Sequence, residues 1–296
     1  MNNILITGAG SFIGSNFLKY SKNRQVREVS LIDNHPDQID FKNIDVVLHL
    51  AAIVHQSKKI SEKEYFKVNR DLCLSVADRA KRNGVKQFVF LSSVKVYGDS
   101  ESSDVPKNET SECSPDDSYG RSKYEAERDL MKMNDPDFMV SIVRTPLVYG
   151  ERVKANMINL IKLVDRVPVL PFGKIKNRRS FTYVENLVGF IDRIIEKRAS
   201  GIFIAMDGSS LSTTELVESI SGHLGKKTYL FKMPWILLKI SSALIPGKLD
   251  KLYGSYEFEN SSTKNILEFE PPFSTDEGLR RTVVHYLIAK NNHNQS

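Results

Sequence analysis

Ile4-Leu5-Ile6-Thr7-Gly8-Ala9-Gly10-Ser11-Phe12-Ile13-Gly14 begins as an apolar run, passes through a glycine-rich turn and enters a helical pattern. A strand, a tight turn and a helix in that order have a physical use. The backbone must reverse sharply, and without Cβ atoms it can come close to a diphosphate. The helix start adds free N–H groups and the positive end of the helix dipole. Gly8, Gly10, Ser11, Phe12, Ile13 and Gly14 are therefore candidates to hold a dinucleotide. The plainer alternative is a loop whose glycines only tighten a turn.

Outward from this stretch, short apolar runs alternate with helical patterns. Strands are predicted over 4–7, 29–33, 46–51, 88–92 and 139–144, and helices over 12–21, 64–83 and 119–133. Runs rich in Val, Ile, Leu and Phe separated by helices imply an α/β fold, a doubly wound parallel sheet covered on both faces. Ligands of such sheets sit at the carboxyl ends of the strands. The second half is less regular. Ser212-Thr213-Thr214-Glu215 forms a capping-box pattern opening a helix to about Leu224, and proline-containing loops fall at 167–171 and 271–272. The expected division is a dinucleotide-binding domain over 1–150, rejoined by about 181–207. A smaller mixed α/β lobe spans about 151–180 and 208–296.

Asp33 stands where a strand-end carboxylate would bind ribose hydroxyls and repel a 2′-phosphate, which favours NAD and leaves NADP open. It also suits a turn before Asn34 and Pro36. Few residues separate it from Asp45, so the usual helix-and-strand insertion is missing. Further on, Leu91-Ser92-Ser93-Val94-Lys95-Val96-Tyr97-Gly98 follows a strand, and Tyr119-Gly120-Arg121-Ser122-Lys123 opens a helix. A spacing of four puts Tyr119 and Lys123 on one helix face. A phenol titrates near ~10, too high for a base at neutral pH. A neighbouring ammonium and a cationic nicotinamide would lower it, and Ser93 could orient the reacting oxygen.

Composition is ordinary for a globular protein, with 296 residues, 41% hydrophobic and 26% charged. Cys73 and Cys113 are far apart, so neither a disulfide framework nor a metal site is expected, and a cytoplasmic location is. The apolar start of the chain, with no basic stretch before it, leads us to expect no export signal. Phe231–Pro246 (FKMPWILLKISSALIP) is interrupted by Lys232, Pro234 and Lys239 and is shorter than the ~20 residues of a membrane span. It reads as an amphipathic helix of the small lobe, with peripheral membrane contact as the alternative. The net charge of +6 is dispersed among acidic residues, which gives no nucleic-acid module but suits a phosphate-bearing substrate.

Taken together, TGAGSFIG (7–14), HLAA (49–52), VNRD (68–71), FVFLSSVKVYG (88–98), YGRSK (119–123), RTPLVYG (144–150) and NRRSFTYVENL (177–187) resemble the extended short-chain dehydrogenases/reductases. Within them the likeness is to the NAD-dependent epimerase/dehydratase group, and it covers nearly the whole chain. It implies a Rossmann-type fold and a catalytic triad of Ser93, Tyr119 and Lys123. It also implies cofactor contacts from Leu50, Ala51, Ala52 and Asn69, and a homodimer through the helices at 64–83 and 119–133. VKANMINL (153–160) with NRRS (177–180) resembles UDP-sugar enzymes, so Asn156 and Arg179 would hold the diphosphate. Their plainer roles are a helix start and a surface ion pair. His55 is divided between sugar contact and loop packing, and Cys113 is read as a bystander.

The chain departs from the family at Ser11, where many members have glycine, and in the shortened block after Asp33. Both touch the cofactor site. Val94 and Lys95 stand where 4,6-dehydratases carry an Asp-Glu pair, which argues against dehydration. The resemblance thus implies C4 chemistry on a UDP-hexose or UDP-N-acetylhexosamine for surface polysaccharide, by epimerase or 4-ketoreductase. A non-catalytic nucleotide-binding protein on the same fold is the alternative from another class.

Overall fold

The computed structural model describes residues 2–21, 25–32, 35–54, 60–98, 105–233 and 253–294. In β1 (Asn3–Thr7), Ile4 and Ile6 pack on one side of the sheet and Leu5 on the other, all fully buried. The same two-sided burial recurs in β3 (Val46–His49), β4 (Gln87–Ser93) and β5 (Met139–Thr145). Strands apolar on both faces need helices on both, and the chain supplies them. One face is covered by α1 (Phe12–Tyr20) and α6 (Val184–Lys197), through Phe17, Leu187, Phe190 and Ile194. The other is covered by α3 (Cys73–Arg82) and α4 (Ser118–Met131), through Val76, Ala77, Ala126 and Leu130.

With β2 (Gln25–Val29) and β9 (Gly201–Ile204), these strands form a six-stranded parallel sheet in the order β2-β1-β3-β4-β5-β9. The chain moves outward from β1 to β2 and then returns to β1's other side for β3. That reversal opens a crevice beyond the carboxyl ends of β1 and β3, where doubly wound sheets bind ligands.

Several boundaries differ from the sequence expectation. The second strand ends at Val29 instead of starting there, because its partner sets its length. Thr7 pairs with Val29, and the Gly8 and Ala9 N–H groups then close on the Val29 carbonyl at 3.0 and 3.2 Å. Asp33 lies outside the described residues. The helix expected over 64–83 starts at α2 (Glu62–Phe66), capped by Ser61, and widens into a π-helical segment, Lys67–Leu72, before α3. The third strand stops at His49, the Leu50 N–H making the last bond to β1 by donating to the Thr7 carbonyl at 3.0 Å.

Beyond the sheet, β6 (Leu147–Tyr149) pairs with β8 (Phe181–Tyr183), and β7 (Val169–Leu170) with β10 (Tyr229–Leu230). A separate core gathers Met157, Ile161 and Val164 of α5 (Asn156–Arg166), Leu216, Val217 and Ile220 of α7 (Thr213–His223), and Leu279 and Val283 of α9 (Thr275–Asn294). The short α8 (Ser261–Leu267) packs against α6 and β9. Buried Asp207 ties these parts together, accepting from the Tyr183 N–H, Asn186 Nδ2 and Tyr149 hydroxyl at 2.7–2.8 Å. Among the described residues no helix is long and apolar enough to cross a membrane. Positions 234–246 of the FKMPWILLKISSALIP stretch lie outside them.

Candidate active site

The glycine turn has the form its sequence requires. Gly8 (φ 96°) and Gly10 (φ 69°) both occupy backbone space that disfavours side chains. A Cβ on Gly8 would lie 2.9 Å from the Ala51 nitrogen, so glycine lets the turn pack on the loop after β3. Above Gly10 the space is open among the described residues: apart from its chain neighbours, none places an atom within 4 Å of where a Cβ would stand. Ser11 caps α1, its Oγ accepting from the Gly14 N–H at 3.1 Å. Phe12 and Ile13 are the first residues of that helix. An open glycine at a helix start is a cradle that fits a dinucleotide diphosphate.

At the end of β2, where the sequence points to Asp33, the structure places Glu28, whose Oε1 lies 3.4 Å from the Gly10 nitrogen. Leu50 belongs to the core, and Ala51 and Ala52 are half-buried beside the turn. Asn69 is buried and its amide is used in place. Oδ1 accepts from the Ile53 N–H at 2.8 Å, and Nδ2 donates to the Ile53 carbonyl and Ser122 Oγ at 3.0 Å. It holds the loop after β3 against α4, with its own π-helical segment supplying the approach.

Ser93 ends β4 and caps the 3-10 turn Val94–Tyr97, its Oγ accepting from the Lys95 N–H at 3.2 Å. Tyr119 lies in the first turn of α4, which Asp117 caps by accepting from the Gly120 N–H at 2.7 Å. The two are neighbours, close enough for the Ser93 side chain to favour the ionised form of the Tyr119 phenol. The turn and helix touch at backbone level, since a Cβ on Gly120 would stand 2.7 Å from the Lys95 carbonyl oxygen. Tyr65 of α2 packs edge-on against the Tyr119 ring at 6.2 Å. Burial pushes the Tyr119 phenol up to about 12; the Ser93 side chain only partly opposes this, and Asp117 adds to it.

Lys123 shares that helix face, but its ammonium is turned into the protein. Nζ donates to the Leu91 carbonyl at 2.8 Å and lies 4.3 Å from the Phe90 ring centre. Burial brings the group down to about 8. The expectation that Lys123 lowers the Tyr119 value is corrected on this point, because the ammonium is directed to the carbonyl and the ring. Beneath it, His49 is fully buried, bonded through Nδ1 to Thr7 Oγ1 at 2.8 Å, and held down to about 3 chiefly by burial.

One turn after Lys123, Glu127 forms a buried pair with Arg144 of β5, Nη2 to Oε2 at 2.6 Å and Nε within 3.2 Å of both oxygens. Arg144 Nη1 donates to the Tyr97 hydroxyl at 2.7 Å, and the Ser92 hydroxyl donates to Glu127. This network joins α4 to β4, β5 and the 3-10 turn.

Of the substrate candidates, Asn156 is the exposed first residue of α5. Arg179 is half-buried, its Nη1 donating to the Gly254 carbonyl at 2.9 Å, its guanidinium 5.8 Å from the Tyr256 ring centre. Tyr256 in turn donates its hydroxyl to the Val94 carbonyl at 2.7 Å, so Arg179 is linked to the Ser93 turn through one aromatic ring. His55 lies outside the described residues.

Residues 4–204 match the model of the NAD dependent epimerase/dehydratase family. The chain belongs to that family. It is an NAD-dependent enzyme of the epimerase/dehydratase type. A UDP-glucose 4-epimerase of Vibrio cholerae is 34% identical over 97% of this chain and 96% of its own. An N-acetyl-α-D-glucosaminyl-diphospho-ditrans,octacis-undecaprenol 4-epimerase of Escherichia coli O157:H7 is 27% identical over the same shares of both chains. In fold, the chain is similar to a UDP-N-acetylglucosamine 4-epimerase from Methanobrevibacter ruminantium M1, with TM-score 0.79, 22% identity and 97% and 99% of the two chains covered.

Three residues beside the family's motifs were not singled out from the sequence for this site: Glu28, Glu127 and Tyr256. Glu127 had a local signal, standing four residues after Lys123 on the same helix face. Tyr256 had none, being brought in from 162 positions away from Val94.

Proposed function

We propose that this protein is a UDP-sugar 4-epimerase that uses NAD, with Tyr119 as its proton-transfer residue. The observation that carries the reading is the approach of Ser93, at the carboxyl end of β4, to the Tyr119 phenol, in a sheet whose first strand ends in an open glycine turn at a helix start. The 34% identity to a UDP-glucose 4-epimerase over nearly the full length of both chains supports the choice of epimerase over ketoreductase. When bound, NAD supplies reversible hydride transfer at C4 and a ring cation that lowers the Tyr119 value.

The chain's own residues do the rest. Tyr119 takes the proton of the C4 hydroxyl and returns it after the sugar has turned its other face. Ser93 steadies that oxygen, and Lys123, whose ammonium rests on the Leu91 carbonyl in this structure, would hold the nicotinamide ribose once NAD is bound. Gly8, Gly10, Ser11, Phe12, Ile13, Gly14, Leu50, Ala51, Ala52 and Asn69 form or support the dinucleotide cradle, and Arg179 and Asn156 hold the diphosphate. We assign 1–150 with about 181–207 to the cofactor lobe and the remainder to the sugar lobe. Surface-polysaccharide precursor synthesis in the cytoplasm, by a homodimer, completes the reading.

The test is the cofactor balance. Purified protein should interconvert UDP-glucose and UDP-galactose, or their N-acetylated counterparts, without net NADH production. Stoichiometric NAD(P)H oxidation with a UDP-4-keto sugar, and no interconversion, would replace epimerase by reductase. Tyr119→Phe should lower turnover at least a thousand-fold while retaining NAD binding; wild-type turnover in that variant would refute the mechanism.

A second reading concerns the carrier of the sugar. Phe231–Pro246 is the most apolar stretch of the chain, and the E. coli O157:H7 relative acts on a sugar diphosphate linked to undecaprenol. A polyprenyl-diphosphate sugar is the alternative substrate. Turnover of N-acetylglucosaminyl-diphospho-undecaprenol in detergent, with none of the UDP-sugar, would select it.

A further inference from the structure

The smaller lobe carries an apolar face left uncovered among the described residues. In the β7–β10 ribbon Leu170 and Leu230 pair and turn into the core shared with α5, α7 and α9. Side chains alternate along a strand, so Val169 and Tyr229, also paired in register, turn the other way. They are 49% and 68% exposed. Phe231, two positions beyond Tyr229 and also exposed, continues the row, its N–H donating to the Leu170 carbonyl at 3.1 Å. Three large apolar side chains on one ribbon make a contiguous face of the kind that marks a contact surface.

Basic residues surround it. α5 enters β7 through only Val167 and Pro168, and its last turns expose Lys162, Leu163 and Arg166. The turn after α7 lies against that helix end, where the Lys226 ammonium meets both the carbonyl and the carboxylate of Asp165. Lys290 of α9 reaches the same carboxylate. On the ribbon strand, exposed Lys227 and Lys232 flank Tyr229 and Phe231. Segments 162–170, 226–232 and 284–294 thus hold six lysines and arginines and a single acid, Asp165, which is buried. Two of the lysines share that one carboxylate, so the face stays strongly positive with its ion pairs formed. Basic charge that is dispersed along the sequence is gathered here by the fold.

Two kinds of partner suit apolar groups ringed by positive charge: an acidic protein and an anionic membrane. Protein interfaces are poor in lysine, yet five of these six cations are lysines. Lysine beside tyrosine and aliphatic side chains fits a bilayer surface, where apolar groups enter the headgroup layer and ammonium groups meet lipid phosphates. We propose that the β7–β10 ribbon, with the ends of α5 and α9, docks on an anionic phospholipid bilayer. The proposal goes beyond the sugar-nucleotide reading and does not depend on it, since docking needs no substrate.

The test is co-sedimentation of the full chain with vesicles of phosphatidylglycerol and phosphatidylcholine, and with phosphatidylcholine alone. Binding should be about ten-fold or more stronger to the anionic vesicles and should weaken as salt is raised. Each cation beside an anionic surface is worth about five-fold, so Lys162→Gln, Lys227→Gln and Lys232→Gln together should weaken it about a hundred-fold. Tyr229→Ser should weaken it about three-fold or more and leave the salt dependence in place. A control carrying Lys42→Gln, Lys86→Gln and Lys132→Gln removes the same charge from exposed positions of the other lobe. At physiological salt, where screening acts within about 8 Å, that control should bind within about three-fold of the wild type. An unchanged melting temperature certifies each variant as folded. Equal binding to both kinds of vesicle, or an equal loss in the control, overturns the proposal. So does the absence of vesicle binding; self-association that Tyr229→Ser abolishes would then assign the face to a second copy of the chain.

Discussion

Gly120→Ala sets two effects of opposite sign against each other. In a helix alanine is better than glycine by up to about 1 kcal/mol, and Gly120 lies in the first turn of α4 without a positive φ. Propensity alone therefore predicts a more stable protein. The structure predicts the reverse. The added Cβ would lie 2.7 Å from the Lys95 carbonyl oxygen and 3.0 Å from Pro115 Cβ, where ordinary contact begins near 3.4 Å. The carbonyl is main chain and accepts from the Gly98 N–H at 3.2 Å, so no rotamer change relieves it. The 3-10 turn or the helix must shift by roughly 0.7 Å (3.4 less 2.7), and such overpacking costs about 1–3 kcal/mol.

The net expectation is a loss of about 1–2 kcal/mol, or a melting temperature lower by about 2–6 °C. The same shift separates Ser93 from Tyr119, which sit on the two parts that must move. A displacement of this size at the reacting groups should lower kcat by about ten-fold or more, since ~1 Å can cost a hundred-fold. Urea unfolding followed by circular dichroism measures the first quantity, and steady-state turnover the second. An alanine variant as stable as the wild type, with turnover within two-fold of it, would refute the claim that turn and helix are wedged together here.

The other expectations concern charge. Burial alone would raise the Asp165 carboxyl, but hydrogen bonds from Lys226, Lys290 and Tyr286 overcome it and hold it well below the carboxylate range. Its stabilisation is present above the unfolded value near ~4 and is lost as pH falls through the folded value. Because both lysines are more than a third exposed, Asp165→Asn should cost only about 1–2 kcal/mol at pH 7, a difference that shrinks below pH 4 in urea unfolding. Asp207 has the opposite sign. Burial raises it to about 6, so it weakens the fold as pH rises from ~4 through 6, and Asp207→Asn should flatten the stability profile over that window. Lys123, brought down to about 8 by burial, is charged below that pH; NAD affinity measured by fluorescence should fall as pH rises through 8, and Lys123→Met should abolish the dependence.

What could be read in the sequence was local. The strand–turn–helix around Gly8 and Gly10, the doubly buried strands and the Tyr119/Lys123 spacing are each written within a few residues, in turn chemistry or in a period of two or four. The β2 boundary was not readable, since Ser30, Leu31 and Ile32 suit a strand as well as Val26 does. Only the five-residue length of β1 and the glycine turn that follows it decide where pairing stops. Asn69 sits in a motif that suggests a cofactor contact, yet its amide closes a loop, a role that depends on Ile53 and Ser122 arriving from elsewhere.

Tyr119 shows how much of a motif's meaning lies outside its letters. Asp117 fixes where α4 begins, Gly120 admits the Lys95 carbonyl, and the Arg144–Glu127 pair holds the helix two turns further on. These constraints act at the start, the side and the middle of one helix, so it can neither rotate nor slide without breaking one of them. Removing one member of a buried pair such as Arg144–Glu127 typically costs about 3–5 kcal/mol, against about 1 kcal/mol for a helix cap, so the pair is the strongest of the three. The chain's own groups leave the phenol well above neutrality at about 12 and bring the ammonium down to about 8. Both shifts have burial as their largest cause. Under the proposed function, a phenol held this high stays protonated until a cationic ligand lies beside it, which would tie proton transfer to the presence of the oxidised cofactor.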